Sequence, residues 1–266
     1  MTDFSRENTG QTTVTRLDNI VVVLVEPQDD INIGNTVRAC KNFGITRIRL
    51  VAPASADPAR IAISAPKADD VIAAIERFET VDEALGDCTF VAALTARRRK
   101  ASWAVVEPRG AAIDLVSAAS EGLAAVVFGR EDAGLPNEVL DRCHVIVTVP
   151  TNPDYSSLNL GQAVLLMAWE IFRVAEQIPV EQAVDAVQAR GGREPADLAR
   201  LEPMFGQAER ALTAIEFFKT QNGPHIMRAV RAMFLRAGLD KREAALWHGI
   251  FSEIEAFMKR TGRDAN

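Results

Sequence analysis

Cations are in short supply. The 266-residue chain carries 30 Lys and Arg against 36 Asp and Glu, a formal charge of −6. That balance argues against a histone-like or polybasic protein that grips nucleic-acid phosphate with its whole surface, though it leaves room for a local basic patch. Cysteine is scarce too. Cys40, Cys88 and Cys143 are odd in number and far apart, so they make neither a disulfide framework nor a zinc site. The three His fit no HExxH pattern, so no metal is expected. No run of about 18 apolar residues occurs, which predicts no transmembrane helix and no membrane partner. The best apolar stretch, Ala163–Trp169, is stopped by Glu170. Asp3, Arg6 and Glu7 have no apolar core behind them, unlike a secretory signal. These absences together predict a reduced, cytoplasmic protein. Aromatics make up only 6% of the chain, with a single Tyr. What remains, 48% hydrophobic and 25% charged residues, is ordinary for a folded protein of one large or two smaller domains.

Periodicity divides the chain. Residues 1–17 are polar, rich in Thr and Asn, and read as a flexible tail. Ile20–Val25 is a short β-branched run ended by Glu26-Pro27, which predicts a buried strand. A helix should follow, capped by Asn35, with Val37, Cys40 and Phe43 at helical spacing and Gly44 at its stop. Strands are expected at Ile48–Val51, Phe90–Leu94, Leu123–Phe128 and Val145–Val149. Helices are expected within Asp69–Leu85, at Ile113–Ala119, from Pro136 through Arg142, and from Leu158 to Val174. Alternating strands and helices predict an α/β domain with a mainly parallel sheet over residues 18–177. Gly191-Gly192-Arg193-Glu194-Pro195 breaks the helical pattern. Residues 178–195 therefore read as a linker, and 196–266 as a small all-helical C-terminal extension.

In open α/β sheets, ligands sit beyond the C-terminal ends of the strands. Three strand ends here run into polar segments: Leu94-Thr95-Ala96-Arg97, Phe128-Gly129-Arg130-Glu131, and Val149 through Asn152 on to Tyr155-Ser156-Ser157-Leu158-Asn159. No GxGxxG occurs, and the spacing of Gly129 and Gly134 lacks a following Lys-Ser or Lys-Thr. Both absences weigh against dinucleotide oxidoreductases and P-loop NTPases. Asn32-Ile33-Gly34-Asn35-Thr36-Val37-Arg38 is a further constellation. With Asn35 as cap, Arg38 falls in the first helical turn, against the helix dipole, and such a local conflict points to function. Arg38 could also simply reach solvent. Gly129-Arg130-Glu131, taken alone, reads rather as a turn with a surface ion pair. Ser156 or Ser157 reads as a helix cap, and a capped helix start can still offer backbone N–H groups to a ligand. Arg97-Arg98-Arg99-Lys100, with Trp103 close behind, suits nucleic-acid contact or an exposed loop. Cys143-His144 reads as structural. Met167, Trp169 and Phe172 read as core or interface.

Taken in order, N-x-G-N-x-x-R at Asn32–Arg38, F-G-x-E at Phe128–Glu131 and S-S-L-N-L at Ser156–Leu160 resemble the SPOUT class of RNA 2′-O-methyltransferases. The stretch Asn152–Leu160 is most similar to the branch of that class acting on tRNA. The likeness runs over residues 18–175, and Met204–Phe218 and Pro224–Ala237 resemble that branch's helical extension. The resemblance implies an α/β-knot fold with a C-terminal trefoil knot, a rare exception to unknotted topology. It also implies a homodimer and S-adenosylmethionine as cofactor. Carried over by position, the cofactor contacts are Leu94, Thr95, Ala96, Gly129, Val149, Ser156, Ser157 and Leu158. The catalytic set is Arg38, the residue proposed as base in this class, with Asn32, Glu131, Ser157 and Asn159. RNA contacts would come from Arg38, Lys41, Arg97, Arg98, Arg99 and Lys100. Pro150-Thr151 and Leu94-Thr95 depart from the usual pattern in the cofactor loops.

The implied substrate is a tRNA, methylated at pyrimidine 32 of the anticodon loop. The alternatives are a ribosomal RNA 2′-O-methyltransferase on the same core, or a non-catalytic RNA-binding member of the class. The charge is unevenly placed in a way that suits RNA. Ile31–Ala56 holds Arg38, Lys41, Arg47 and Arg49 with no acid, and Arg228, Arg231, Arg236, Lys241 and Arg242 suggest a further basic face.

Overall fold

The computed structural model describes residues 17–96, 103–177, 193–218 and 222–261. Seven strands form one sheet: β1 (Ile20–Val25), β2 (Arg47–Val51), β3 (Glu76–Phe78), β4 (Cys88–Leu94), β5 (Val105–Val106), β6 (Leu123–Phe128) and β7 (Val145–Val147). Their order is β3-β2-β1-β6-β4-β7-β5, and every pairing is parallel. β1 is buried at all six positions. A parallel strand covered on both faces must read as a continuous apolar run, and Ile-Val-Val-Val-Leu-Val does.

The helices of the α/β part are α1 (Asp30–Asn42), α2 (Pro58–Ser64), α3 (Asp69–Ala73), α4 (Val81–Leu85), α5 (Pro108–Ala118), α6 (Asn137–Leu140) and α7 (Leu160–Gln177). The C-terminal helices are α8 (Leu198–Ala214), α9 (Gly223–Ala237) and α10 (Lys241–Arg260). One face of β1, with Ile20, Val22 and Leu24, packs with Ile33 and Val37 of α1, Leu115 of α5 and Met167 and Ile171 of α7. The other, with Val21, Val23 and Val25, shares a core with Leu85 of α4, Leu140 of α6, Leu201, Met204 and Phe205 of α8, and Phe234 of α9. The C-terminal helices therefore lie on the sheet's second layer rather than forming a separate unit. Arg193–Ala196 lead into them, anchored by Ala196 N–H to Leu239 O at 2.9 Å and Lys241 N–H to Glu194 O at 3.1 Å.

Several sequence expectations change. α1 begins five residues before Asn35, because the Asp29 side chain accepts from Ile31 N–H and caps it. Arg38 therefore stands in the interior of α1, not its first turn, and the dipole conflict disappears. Gly34, placed ahead of the helix by the Asn35 cap, lies inside α1, where its role is close packing. A Cβ there would lie 2.1 Å from Ser64 Oγ and 2.3 Å from Ile61 O of α2. The Asp69–Leu85 region is two short helices with β3 between them. α2 and the two-residue β5 were not expected. Pro136 caps α6 rather than opening it. Leu17, assigned to the flexible tail, is buried in the core. Residues 1–16 and the linker residues 178–192 lie outside the described residues.

Candidate active site

The C-terminal ends of β6, β4 and β7 lie side by side, and the three segments that follow them enclose one cleft of about 320 Å³. That is in the size range of small-molecule sites. Leu94, Thr95 and Ala96 form one wall, Gly129–Gly134 a second, and Val149 with Ser156, Ser157 and Leu158 a third. The fold thus brings all eight expected cofactor contacts to one place. The 129–134 loop closes tightly, with Gly134 N–H donating to Arg130 O at 2.9 Å and Gly134 at φ +68°. A Cβ on Gly129 would lie 2.3 Å from the Gly134 carbonyl carbon, so only glycine fits there.

Ser156 and Ser157 do not cap α7. Asn159 does so, its Oδ1 accepting from Gly161 N–H at 2.9 Å. The serine hydroxyls make no hydrogen bond among the described residues, which leaves them free to face a ligand. Thr151, one of the unusual residues of this loop, donates from Oγ1 to Ser156 O at 3.3 Å and braces it.

Three of the expected catalytic residues form a chain. Glu131 Oε1 accepts from Asn32 Nδ2 at 2.9 Å, and Asn32 Oδ1 accepts from Asn159 Nδ2 at 3.2 Å. These residues come from the loop after β6, from α1 and from just before α7, some 99 and 127 positions apart in pairs. The amide orientations follow from the charge. A carboxylate only accepts, so Asn32 must turn its NH₂ to Glu131 and its oxygen to Asn159. The Gln28 backbone N–H adds a donor to Glu131 Oε2 at 3.2 Å. Sequence reasoning missed Gln28. A backbone donor has no side-chain signature, and its position follows from Glu26, which takes the left-handed φ of +52° just past β1.

Arg130 pairs with neither Glu131 nor solvent alone. It forks onto Asp132 at 2.9 Å through both Nε and Nη2, and reaches Glu26 at 3.3 Å. Arg38 is exposed and makes no hydrogen bond or ion pair among the described residues. Lys41, expected to contact RNA, is tied to Asp70 and to Lys67 O. Arg97–Lys100 lie outside the described residues. Cys143-His144 is structural. Cys143 is buried and donates to Val139 O, and His144 Nδ1 accepts from Val91 N–H at 3.1 Å. Burial pushes the His144 imidazole down to about 4. No cluster of three or more His, Cys, Asp or Glu suited to a metal occurs among the described residues. No described helix is long and apolar enough to cross a membrane.

A strand-end cleft of this kind, rimmed by polar residues from three separate segments, has close counterparts among known proteins. A model described as the SpoU rRNA methylase family matches residues 19–169. A second, described as the C-terminal domain of the tRNA methyltransferase TrmJ, matches residues 199–265. The tRNA (cytidine/uridine-2′-O-)-methyltransferase TrmJ of Photorhabdus laumondii is 37% identical over 247 residues, covering 92% of this chain and 100% of the relative. TrmJ of Escherichia coli K12 is 36% identical over 240 residues, 90% of this chain and 96% of its own. The crystal structure of TrmJ from Z. mobilis ZM4 aligns with a TM-score of 0.74 at 34% identity, covering 88% of this chain and 98% of that one. The chain belongs to the SpoU methylase family and, by agreement along both its parts, to the TrmJ group within it.

Proposed function

We propose that this protein is an S-adenosylmethionine-dependent methyltransferase acting on a ribose 2′-hydroxyl of tRNA, at pyrimidine 32 of the anticodon loop. The observation that carries the reading is the Glu131–Asn32–Asn159 chain, fixed beside a cleft whose serine hydroxyls are unspent. The cleft residues fit the cofactor. They combine an apolar wall at Leu94, Val149 and Leu158 with hydroxyls and strand-end backbone groups, as an adenosine with a charged tail requires. When bound, S-adenosylmethionine supplies an activated methyl group, and such a transfer needs no metal.

The protein's own task is positioning, because the ribose hydroxyl must lie in line with the methyl group. Glu131, Asn32 and Asn159 form a rigid rim against which the ribose is set. Arg38 stands exposed on the same helix as Asn32, with its donors unspent. A guanidinium stays protonated in proteins and binds phosphate through a planar fork. Arg38 therefore orients a phosphate and lowers the hydroxyl pKa, while water or that phosphate takes the proton.

The trefoil knot and a homodimer belong to the same proposal. Leu165 and Trp169 on the outer side of α7 are 43% and 46% exposed, and Trp169 packs on Phe43 at 5.7 Å. They offer a second copy an apolar face. Three buried free thiols suit a reducing, cytoplasmic setting. The match of residues 199–265 to a tRNA-enzyme domain favours tRNA over ribosomal RNA. Incubation with unmodified tRNA and labelled S-adenosylmethionine, followed by nucleoside analysis, tests the reading. A 2′-O-methylated pyrimidine at position 32 is expected. Label found only in ribosomal RNA fragments would overturn the substrate, and no label in any RNA would overturn the activity.

A further inference from the structure

We propose that Tyr155 is a stacking platform for the base of the nucleotide being methylated, an inference that rests on the methyltransferase reading above. Tyr155 is the only Tyr of the chain and is 83% exposed, more than any other large hydrophobic side chain among the described residues. It joins no aromatic pair there, so it contributes nothing to packing that would explain its presence. Yet its backbone is fixed. It ends a one-turn 3₁₀ helix, Pro153–Tyr155, capped by Asn152, whose side chain accepts from Asp154 N–H at 3.1 Å. Tyr155 N–H donates to Asn152 O at 3.0 Å, and Pro153 fixes its own φ.

The position is informative. The next three residues, Ser156, Ser157 and Leu158, line the cleft, so Tyr155 stands on its rim. A ribose whose 2′-hydroxyl enters the cleft carries its base on the adjacent carbon, C1′. That base must come to rest at the rim. Aromatic rings hold unpaired bases by their faces, and every base has such a face. A stacked pyrimidine is gripped without its Watson–Crick edge being read. Tyr155 therefore accepts cytidine and uridine alike and sets the nucleotide's orientation rather than its identity.

The experiment first maps the nucleotide methylated by the wild-type protein. It then measures kcat and KM of wild type, Tyr155→Ala and Tyr155→Phe on two RNAs. One is the natural tRNA, and the other carries an abasic ribose at the mapped position. On natural tRNA, Tyr155→Ala should lose roughly 5- to 150-fold in kcat/KM, mostly through KM, the range measured for one base–aromatic stack. Tyr155→Phe should recover it. On the abasic RNA, wild type and Tyr155→Ala should be equal, and S-adenosylmethionine affinity should be the same in all three proteins. Wild-type rates for Tyr155→Ala on natural tRNA would overturn the proposal. So would an equal loss on both RNAs, which would mark a structural or dimer-contact role. Absence of methylation by the wild type would overturn the methyltransferase reading itself.

Discussion

At the junction with the C-terminal helices, cations are spent on the protein. Arg228 forks onto Asp141 at 2.6 and 3.1 Å and lies over Trp103 at 5.3 Å. Arg231 forks onto Glu202 at 2.7 and 2.6 Å and lies over Phe205 at 4.6 Å. Lys241 is held by Glu194. On α1 the situation is reversed, with Arg38, six residues past Asn32 and not among the residues lining the cleft, exposed and unpaired among the described residues. In sequence these arginines look equally suited to RNA. The fold shows that Arg228 ties the C-terminal helices to Asp141 of the α/β part and that Arg231 and Lys241 pair within the C-terminal segment, whereas Arg38, like Arg236, stays exposed and unpaired among the described residues. The acid-free stretch Ile31–Ala56 divides in the same way. Arg49 is buried with Asp87 at 2.6 and 2.8 Å, and Lys41 is tied to Asp70. Burial works to raise the Asp87 carboxyl, but hydrogen bonding and charge from Arg49 prevail and hold it below the usual carboxylate range.

The sharpest way to break this comparison is to attack the junction's core. Phe205→Ala removes a fully buried ring from the second layer and should cost about 3–5 kcal/mol in urea unfolding. Methyl transfer by the folded fraction should be unchanged. A loss under about 1 kcal/mol would mean that α8 adds little to the sheet. On α1, Arg38→Ala should lower kcat by roughly 10²- to 10³-fold, as removal of one positioned donor does. Arg38→Lys should not restore it, because an ammonium lacks the planar fork. Near-full turnover of the Lys variant would refute the guanidinium's role.

His144 sharpens the stability side through pH. The unfolded imidazole takes a proton near 6.5, but the folded one resists until about 4. The unfolded state therefore binds more protons between those values. Stability is full above about pH 6.5 and falls as pH drops toward 4, by about 2 kcal/mol for a partly exposed ring. Urea midpoints at pH 7 and pH 4.5 should differ more in wild type than in His144→Asn. The smallest effect should come from Lys41→Ala. Its half-exposed pair with Asp70 is worth less than about 1 kcal/mol. A large loss of tRNA affinity in that variant would return Lys41 to the RNA contacts.

Much of this arrangement could be read from the residues. The apolar runs Ile20–Val25 and Leu123–Phe128 coincide with β1 and β6, and the three segments proposed to meet do meet. Strand ends leading into polar loops are visible because a parallel sheet demands continuous apolar runs. What stayed hidden depended on long-range geometry. Asn35 looked like the helix cap and Gly34 had no visible role, because α2, which demands the glycine, is itself unreadable in sequence. Asn159 displaced the serines as cap because its side chain faces Gly161 N–H once the loop is folded. β3 and β5, of three and two residues, are too short to show a period. Above all, the pairing of Arg228 with Asp141 spans 87 residues, and no local pattern separates a paired arginine from a free one.

The most direct measurement compares Arg38→Ala with Arg228→Ala in one experiment, reading methyl transfer to tRNA and thermal unfolding on the same preparations. Arg38→Ala should lose transfer and keep the wild-type Tm. Arg228→Ala should unfold at lower temperature, by about 1–2 kcal/mol for a partly exposed pair that leaves Asp141 unmatched, and keep its turnover below that temperature. The reverse pattern, with Arg228→Ala inactive at native stability and Arg38→Ala active, would contradict the division between cement and contact.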